Sequence, residues 1–234
     1  MLIHPWDAAR DAAEWQQWLA AHDFGQLAVN GLPGEPPFVQ PLHFAYDPSA
    51  GGGPGADAGS APRSGSDPGS GSGLGEVVAH LARPNPLWPA LAANPEVLLS
   101  VVDDYAFVPG PWQAPPGIPA EHGTPTSVYA AVQLRCTAQV VDDPELKAEL
   151  LNRQVRHFQE PGVSAQAAPG EAPYGRLLPG IRVLRLQVTD VRAKFKYAGH
   201  KPDEVQDRIA QGLAERGDPR DAGALAMQRR RRTA

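Results

Sequence analysis

A short stretch of the chain combines the groups that bind an anion. Residues 80–88 read HLARPNPLW and follow the apolar residues 77–79, a pattern typical of a strand that ends and passes into a helix. This arrangement collects the cation of Arg83, the amide of Asn85 and backbone N–H groups at one point. Because a guanidinium matches phosphate oxygens through two parallel hydrogen bonds, we predict a phosphate site with Arg83 as its ligand.

The residues around Arg83 each have a second interpretation. His80 could donate to the bound molecule or cap the turn, and Asn85 could be a ligand or the N-cap of the helix that begins at Pro86. Trp88 lies at a helical position where an aromatic ring is either core or a stacking surface. Arg83 itself could form a surface ion pair. The sequence leaves these alternatives open.

A second group of cations lies further along the chain. Lys194 and Lys196 flank Phe195, so an extended backbone directs both ammonium groups to the same face. They either reach a bound anion or lie on a solvated face. His122, in a segment rich in proline and glycine, could close over a ligand or be an exposed loop residue.

Composition narrows the function classes. The 234 residues carry a net charge of −5, so no general positive field attracts nucleic acid, and direct DNA binding is not expected. The arginines at 229–232 are either a frayed tail or a contact to a partner. A single cysteine, Cys136, and histidines without metal-binding spacing predict no metal site. Without a signal peptide or a long apolar run, we expect a cytoplasmic protein with no membrane span.

Hydrophobic periodicity predicts five or six strands with peripheral helices, an α+β, barrel-like arrangement in which most strands are antiparallel. Segments with the pattern of a strand lie at residues 24–30, 38–46, 77–79, 96–102, 105–108, 127–141 and 181–191, with 193–197 also extended. The predicted helices lie at 7–21, capped by Asp7, and at 88–93, 142–159, 202–214 and 222–230.

Residues 47–75 differ sharply from the rest, because they are almost wholly Gly, Pro, Ser, Ala and Asp. Such a segment cannot bury enough apolar surface to offset the entropy of ordering it. We predict a disordered insertion between two paired strands. The chain is then one domain at residues 1–200, with C-terminal helices at 201–234 packed on it and a basic tail at 229–232.

Five segments resemble the PaiB family of FMN-binding split-barrel proteins, and they occur in the family's order. They are HLARPNPLW at 80–88, EHGTPT at 121–126, VVDDPEL at 140–146, KFKY at 194–197 and GLAERGDPR at 212–220. The resemblance covers nearly the whole chain outside 47–75. It implies a mostly antiparallel, six-stranded split β-barrel with peripheral helices, which forms a homodimer and binds FMN between its subunits.

The resemblance also implies a set of FMN-binding residues, among which Thr126 and Tyr129 are included by family position only. The predicted set is His80, Arg83, Asn85, Trp88, Thr126, Tyr129, Lys194 and Lys196. Residues 127–128 and 198–200 depart from the family pattern.

Three functions follow as hypotheses. Relatives are described as negative transcriptional regulators, so the first is an FMN-binding regulator or flavin-linked sensor. The second is an FMN-dependent oxidoreductase that resembles a flavin reductase or a pyridoxamine-phosphate oxidase. The third is a split barrel that binds no flavin.

Overall fold

A computed structural model describes residues 1–50 and 73–233, which form an α+β fold. The strands are β1 (Phe24–Val29), β2 (Phe38–His43), β3 (Ala45–Asp47), β4 (Glu76–Ala82), β5 (Glu96–Val108), β6 (Thr126–Val141) and β7 (Ile181–Lys196). The helices are α1 (Ala12–Ala20), α2 (Trp88–Ala93), α3 (Gly110–Gln113), α4 (Pro144–Phe158), α5 (Asp203–Arg216) and α6 (Asp221–Thr233). None of these helices is both long and apolar enough to cross a membrane.

The seven strands form one antiparallel sheet in the order β2-β1-β5-β6-β7-β4-β3. The chain divides into two compact units. Unit 1 contains Met1–Gln17, Val101–Val132 and Arg192–Ala234, and unit 2 contains Trp18–Ser100 and Gln133–Val191. The long strands β5, β6 and β7 each contribute residues to both units.

The six strands that the family resemblance implies are one fewer than the seven observed. The strand predicted at 38–46 is divided at Phe44 into β2 and β3. The side chain of Phe44 is fully buried, and its N–H leaves the ladder to donate to the carbonyl of Asp23 at 2.9 Å. Strand β2 then pairs with β1, and β3 pairs with β4. Since one residue separates two strands at opposite ends of the sheet order, the sheet of unit 2 curls until its edges meet.

The strands predicted at 96–102 and 105–108 are one strand, β5. Its chain turns locally at Asp104, whose φ of 50° lies in the left-handed region. Such an interruption breaks the alternation of apolar and polar residues in the sequence, although the strand itself continues.

Unit 2 confirms the predicted helix start at 142–145. Helix α4 begins at Pro144, and the carboxylate of Asp143 accepts a hydrogen bond from the N–H of Leu146 at 2.9 Å. The strands that flank the glycine-rich segment pair with each other, from Ala45 opposite Val78 to Asp47 opposite Glu76. Of the predicted insertion 47–75, residues 51–72 lie outside the described residues.

The predicted cap of the first helix is wrong. Helix α1 begins at Ala12, and Asp11 caps it by accepting a hydrogen bond from the N–H of Glu14 at 2.8 Å. Asp7 instead belongs to a separate turn at Pro5–Asp7, where its side chain is buried. A carboxylate removed from water in this way must be explained by the groups around it.

The C-terminal arginines are the end of a helix and not a frayed tail, because α6 continues to Thr233. Arg231 donates to Glu14 Oε1 at 2.6 Å, and both side chains are largely buried in unit 1. The same guanidinium lies 5.2 Å from the centre of the Phe195 ring. Arg231 therefore fixes the last helix of unit 1 to the first helix and to the end of β7.

We expect Arg231→Gln to lower the free energy of unfolding by about 3 kcal/mol, because breaking a buried ion pair leaves the remaining charge uncompensated. Arg230→Gln is the matched control. Its side chain is exposed and donates to the neutral amide of Gln17, so we expect a loss of no more than about 0.5 kcal/mol. Urea unfolding measures both. Equal losses in the two variants would contradict a structural role for the Arg231–Glu14 pair.

Candidate functional site

The predicted site residues fall into two groups of four. His80, Arg83, Asn85 and Trp88 belong to unit 2, and Thr126, Tyr129, Lys194 and Lys196 belong to unit 1.

In unit 2, the side chains of Arg83 and His80 already have partners. Arg83 donates through Nη2 to Asp142 Oδ1 at 2.9 Å and through Nε to the carbonyl of Pro179 at 2.6 Å. His80 Nδ1 is hydrogen bonded to Gln154 Oε1 at 2.8 Å. The ion-pair alternative is the one that the structure adopts for Arg83.

Asn85 and Trp88 likewise form internal contacts. The amide of Asn85 donates to Gln40 Oε1 at 2.9 Å, and the buried Trp88 donates through Nε1 to the carbonyl of Ala82 at 3.1 Å. The guanidinium of Arg182 lies 5.4 Å from the centre of the Trp88 ring. Both side chains thus stabilise the turn between β4 and α2.

The backbone N–H groups of this turn are also occupied. Those of Arg83 and Asn85 donate to the carbonyls of Gly180 and Ala82, at 2.8 and 3.1 Å. The N–H of Leu87 donates to Asn85 Oδ1 at 3.0 Å. A turn whose donors are satisfied internally offers little to a phosphate, so the geometry favours the candidates in unit 1.

In unit 1, the four predicted residues form one cluster. Lys196 Nζ donates to Thr126 Oγ1 at 2.7 Å. The ring of Tyr129 lies beside both ammonium groups, with its centre 5.5 Å from Lys194 Nζ and 5.8 Å from Lys196 Nζ. The alternation of β7 therefore does direct Lys194 and Lys196 to one face, as the sequence predicts.

The two lysines differ in how their charge is compensated. Lys194 is buried, donates to the carbonyl of Leu2 at 2.9 Å and lies 3.9 Å from Asp7 Oδ2. Asp7 Oδ1 has no hydrogen-bond partner among the described residues. In the same part of the chain, no carboxylate lies within ion-pair distance of Lys196. Lys196 thus forms no ion pair among the described residues, whereas Lys194 lies next to Asp7.

The side chain of Lys196 lines a cleft of about 330 Å³ within unit 1. Polar groups line part of it and apolar groups the rest: Gln113, His122, Thr124, Thr126, Lys196, His200 and Lys201 on one hand, and Pro115, Pro125, Val128 and Ala198 on the other. Small-molecule sites usually have volumes of about 300–1,000 Å³ with apolar walls and a few convergent polar groups.

Two groups of the cleft have perturbed pKa values. Burial lowers the pKa of Lys196 below its ordinary value, the charge of Lys194 lowers it further, and the carboxylate of Asp7 acts in the opposite direction. Partial burial and the charge of Lys201 lower the pKa of His200. Both shifts arise because the cleft concentrates positive charge away from water, a setting that an anionic ligand would stabilise.

Sequence reasoning missed several lining residues, including Gln113, His200 and Lys201. The spacing in sequence was a usable signal, because Lys196, Ala198 and His200 are every second residue, although β7 ends at Lys196. Ala198 also has a φ of 59°, in the region that favours glycine. Backbone outliers of this kind cluster at functional sites.

Comparison with known families identifies the ligand class. A family model described as "Putative FMN-binding domain" matches residues 1–190. The chain belongs to this FMN-binding family. FMN is accordingly its cofactor. The match ends before Lys194 and Lys196, so it does not itself assign them a role. A search of the curated proteins gives no match.

Solved structures share the fold. A flavocytochrome from Azotobacter vinelandii is 19% identical, with 82% of this chain and 70% of that chain covered and a TM-score of 0.55. The FAD and heme binding protein from Mycobacterium smegmatis is 18% identical, with 88% and 80% covered and a TM-score of 0.54. At these identities the similarity establishes the fold alone.

The cleft of unit 1 fits FMN by the chemistry of its donors. Lys196 and Lys201 supply positive charge for a phosphate, and the amide of Gln113 lies in the same cleft. Val128 and Ala198, both within segments that depart from the PaiB pattern, provide apolar wall for a flat ring. These positions therefore remain compatible with flavin.

We expect FMN affinity to fall at a pH below the ordinary lysine pKa of about 10.5, because burial lowers the pKa of Lys196. A phosphate binds the protonated ammonium, so affinity is lost as the pH rises through the pKa of Lys196. In Lys196→Arg the charge persists, since the arginine pKa is above about 12, and the fall should disappear. Fluorescence titration at several pH values measures it. An equally steep fall in the arginine variant would contradict the assignment.

Proposed function

We propose that this protein is a flavin-linked sensor or negative transcriptional regulator of the PaiB type, and that it holds FMN in the cleft of unit 1. The observation that carries the proposal is that Lys196 lines that cleft and forms no ion pair among the described residues. When bound, FMN supplies a redox centre, and the protein sets its position and surroundings.

The roles of the individual residues follow from their contacts. Lys196 binds the phosphate or another anionic edge of the flavin, and Thr126 orients the ammonium group by accepting one of its hydrogen bonds. Tyr129 lies against both lysines and keeps them apart from bulk water. Lys194, which is buried beside Asp7, supports the strand rather than contacting the ligand.

A regulator of this kind would act through a partner and not by binding DNA directly. The chain carries a net charge of −5, and Arg230, Arg231 and Arg232 of α6 are engaged within unit 1. Arg231 pairs with Glu14, and Arg232 pairs with Asp207. A basic face for the phosphate backbone is therefore not provided by this helix. A specific band shift with promoter DNA at physiological salt would contradict this part of the proposal.

The proposal includes a homodimer, as in the family it resembles. In unit 1, three large apolar side chains of β5 are exposed to solvent: Val102, Tyr105 and Phe107. Apolar residues clustered on an exposed strand favour association with a second copy. Light scattering in solution gives the mass that decides it.

The decisive comparison is Lys196→Gln against Arg83→Gln. We expect Lys196→Gln to weaken FMN binding roughly tenfold or more, because a hydrogen bond to a charged group contributes about 1.5–3 kcal/mol. Arg83→Gln removes the same charge from a guanidinium that already forms an ion pair with Asp142, so the affinity should stay within about twofold. Quenching of flavin fluorescence measures both. Loss of binding in Arg83→Gln alone would place the phosphate in unit 2.

An FMN-dependent oxidoreductase is the second candidate, and the lowered pKa values of Lys196 and His200 favour it. Side chains that can hold and release a proton beside the bound group could serve as general acids or bases there. Under this alternative, the FMN-loaded protein oxidises NADH or NADPH in many turnovers, and His200→Gln lowers the turnover rate. We expect no more than stoichiometric oxidation, as a sensor requires. Sustained turnover would establish the enzyme.

A further inference from the structure

A second cavity in unit 1, of about 460 Å³, is separate from the FMN cleft. Tyr197 and Gly199 line this cavity, whereas Lys196, Ala198 and His200 line the FMN cleft. Residues 196–200, at and after the end of β7, thus line the two cavities alternately. Nothing in the proposed FMN site uses the second one.

The lining of this second cavity is cationic. It includes Arg10, Arg231 and Arg232, and no lining residue is acidic. Glu14 compensates Arg231 at 2.6 Å, and Asp207 compensates Arg232. Arg10 is different, because its guanidinium donates to the carbonyl of Arg231 and has no acidic partner among the described residues. One positive charge is therefore left over.

A buried acceptor without a donor lies in the same lining. Gln228 is only 2% exposed, and its Nε2 donates to the carbonyl of Gln206 at 3.1 Å. Its Oε1 has no hydrogen-bond partner in the part of the chain that the structure describes. Buried polar atoms are nearly always hydrogen bonded, so this oxygen calls for an N–H or O–H group from a bound molecule.

We propose that this cavity binds a small hydroxylated organic phosphate, such as a sugar phosphate. The guanidinium of Arg10 binds the phosphate, with Arg232 nearby in the lining, and a hydroxyl of the ligand donates to Gln228 Oε1. An inorganic ion would leave the amide oxygen unsatisfied, and a neutral sugar would leave the charge of Arg10 uncompensated. The cavity also has the volume of a small-molecule site rather than an ion site.

Calorimetric titration of the FMN-saturated protein tests this, with ribose 5-phosphate, inorganic phosphate and ribose as the probes. Saturation with FMN matters because FMN itself carries a ribityl phosphate, so any binding that remains belongs to a second site. We expect ribose 5-phosphate to bind with one site per chain, inorganic phosphate to bind roughly three- to tenfold more weakly for want of the hydroxyl contact, and ribose not to bind.

Two variants separate the two contacts. Arg10→Gln should weaken both ribose 5-phosphate and inorganic phosphate, by roughly tenfold or more. Gln228→Leu should remove the difference between them, because it deletes the acceptor and leaves the arginines in place. Thermal unfolding shows whether the leucine variant folds. Should it not fold, the Arg10 variant decides, since Arg10 is exposed.

Arg220→Gln is the matched control, because Arg220 belongs to the same unit, stacks on Tyr105 and does not line the cavity. It should bind ribose 5-phosphate as the unaltered protein does. Three results would overturn the proposal: no binding to the FMN-saturated protein, displacement of ribose 5-phosphate by FMN, or the same loss in the Arg220 variant as in the Arg10 variant.

Discussion

Two lysines on one face of β7 share a single buried carboxylate, and the chemistry of unit 1 depends on this imbalance. Asp7 lies beside Lys194, whereas Lys196 has only the neutral hydroxyl of Thr126. A partly buried ammonium without a counter-charge is stabilised when an anion enters its surroundings. The cleft next to Lys196 is therefore suited to a phosphate. FMN, the cofactor of this family, carries a phosphate group.

Arg83 shows why a cation alone does not define such a site. Its sequence context, between the end of a strand and a helix that starts at a proline, is a stronger sign of a phosphate site than the context of Lys196. In the folded unit 2, however, Asp142 accepts a hydrogen bond from Arg83 and forms an ion pair with Arg182, and the turn satisfies its own N–H groups. A guanidinium that is already held in an ion pair gains little from a ligand, because binding would first have to break that pair.

Contacts with other parts of unit 1 hold the C-terminal end of β7 and the residues after it in place. Tyr197 is buried and donates to the carbonyl of Asp104 at 2.9 Å, and burial raises the pKa of its hydroxyl. Asp104 and Ala198 are the two non-glycine residues with positive φ among the described residues. Arg231 packs over the neighbouring Phe195 ring and pairs with Glu14. These contacts fix the alternation that divides residues 196–200 between two cavities.

The sequence alone determined the elements governed by local patterns. Helix α4 follows from Asp143 and Pro144, and strand β6 and the shared face of Lys194 and Lys196 follow from alternation, because caps and side-chain periods act within a few residues. Tertiary structure alone decided the break at Phe44, the burial of Asp7 and the partner of each cation. Those outcomes depend on groups that are distant in sequence, such as Arg231 and Glu14, and no local pattern records which of them will meet in the folded chain.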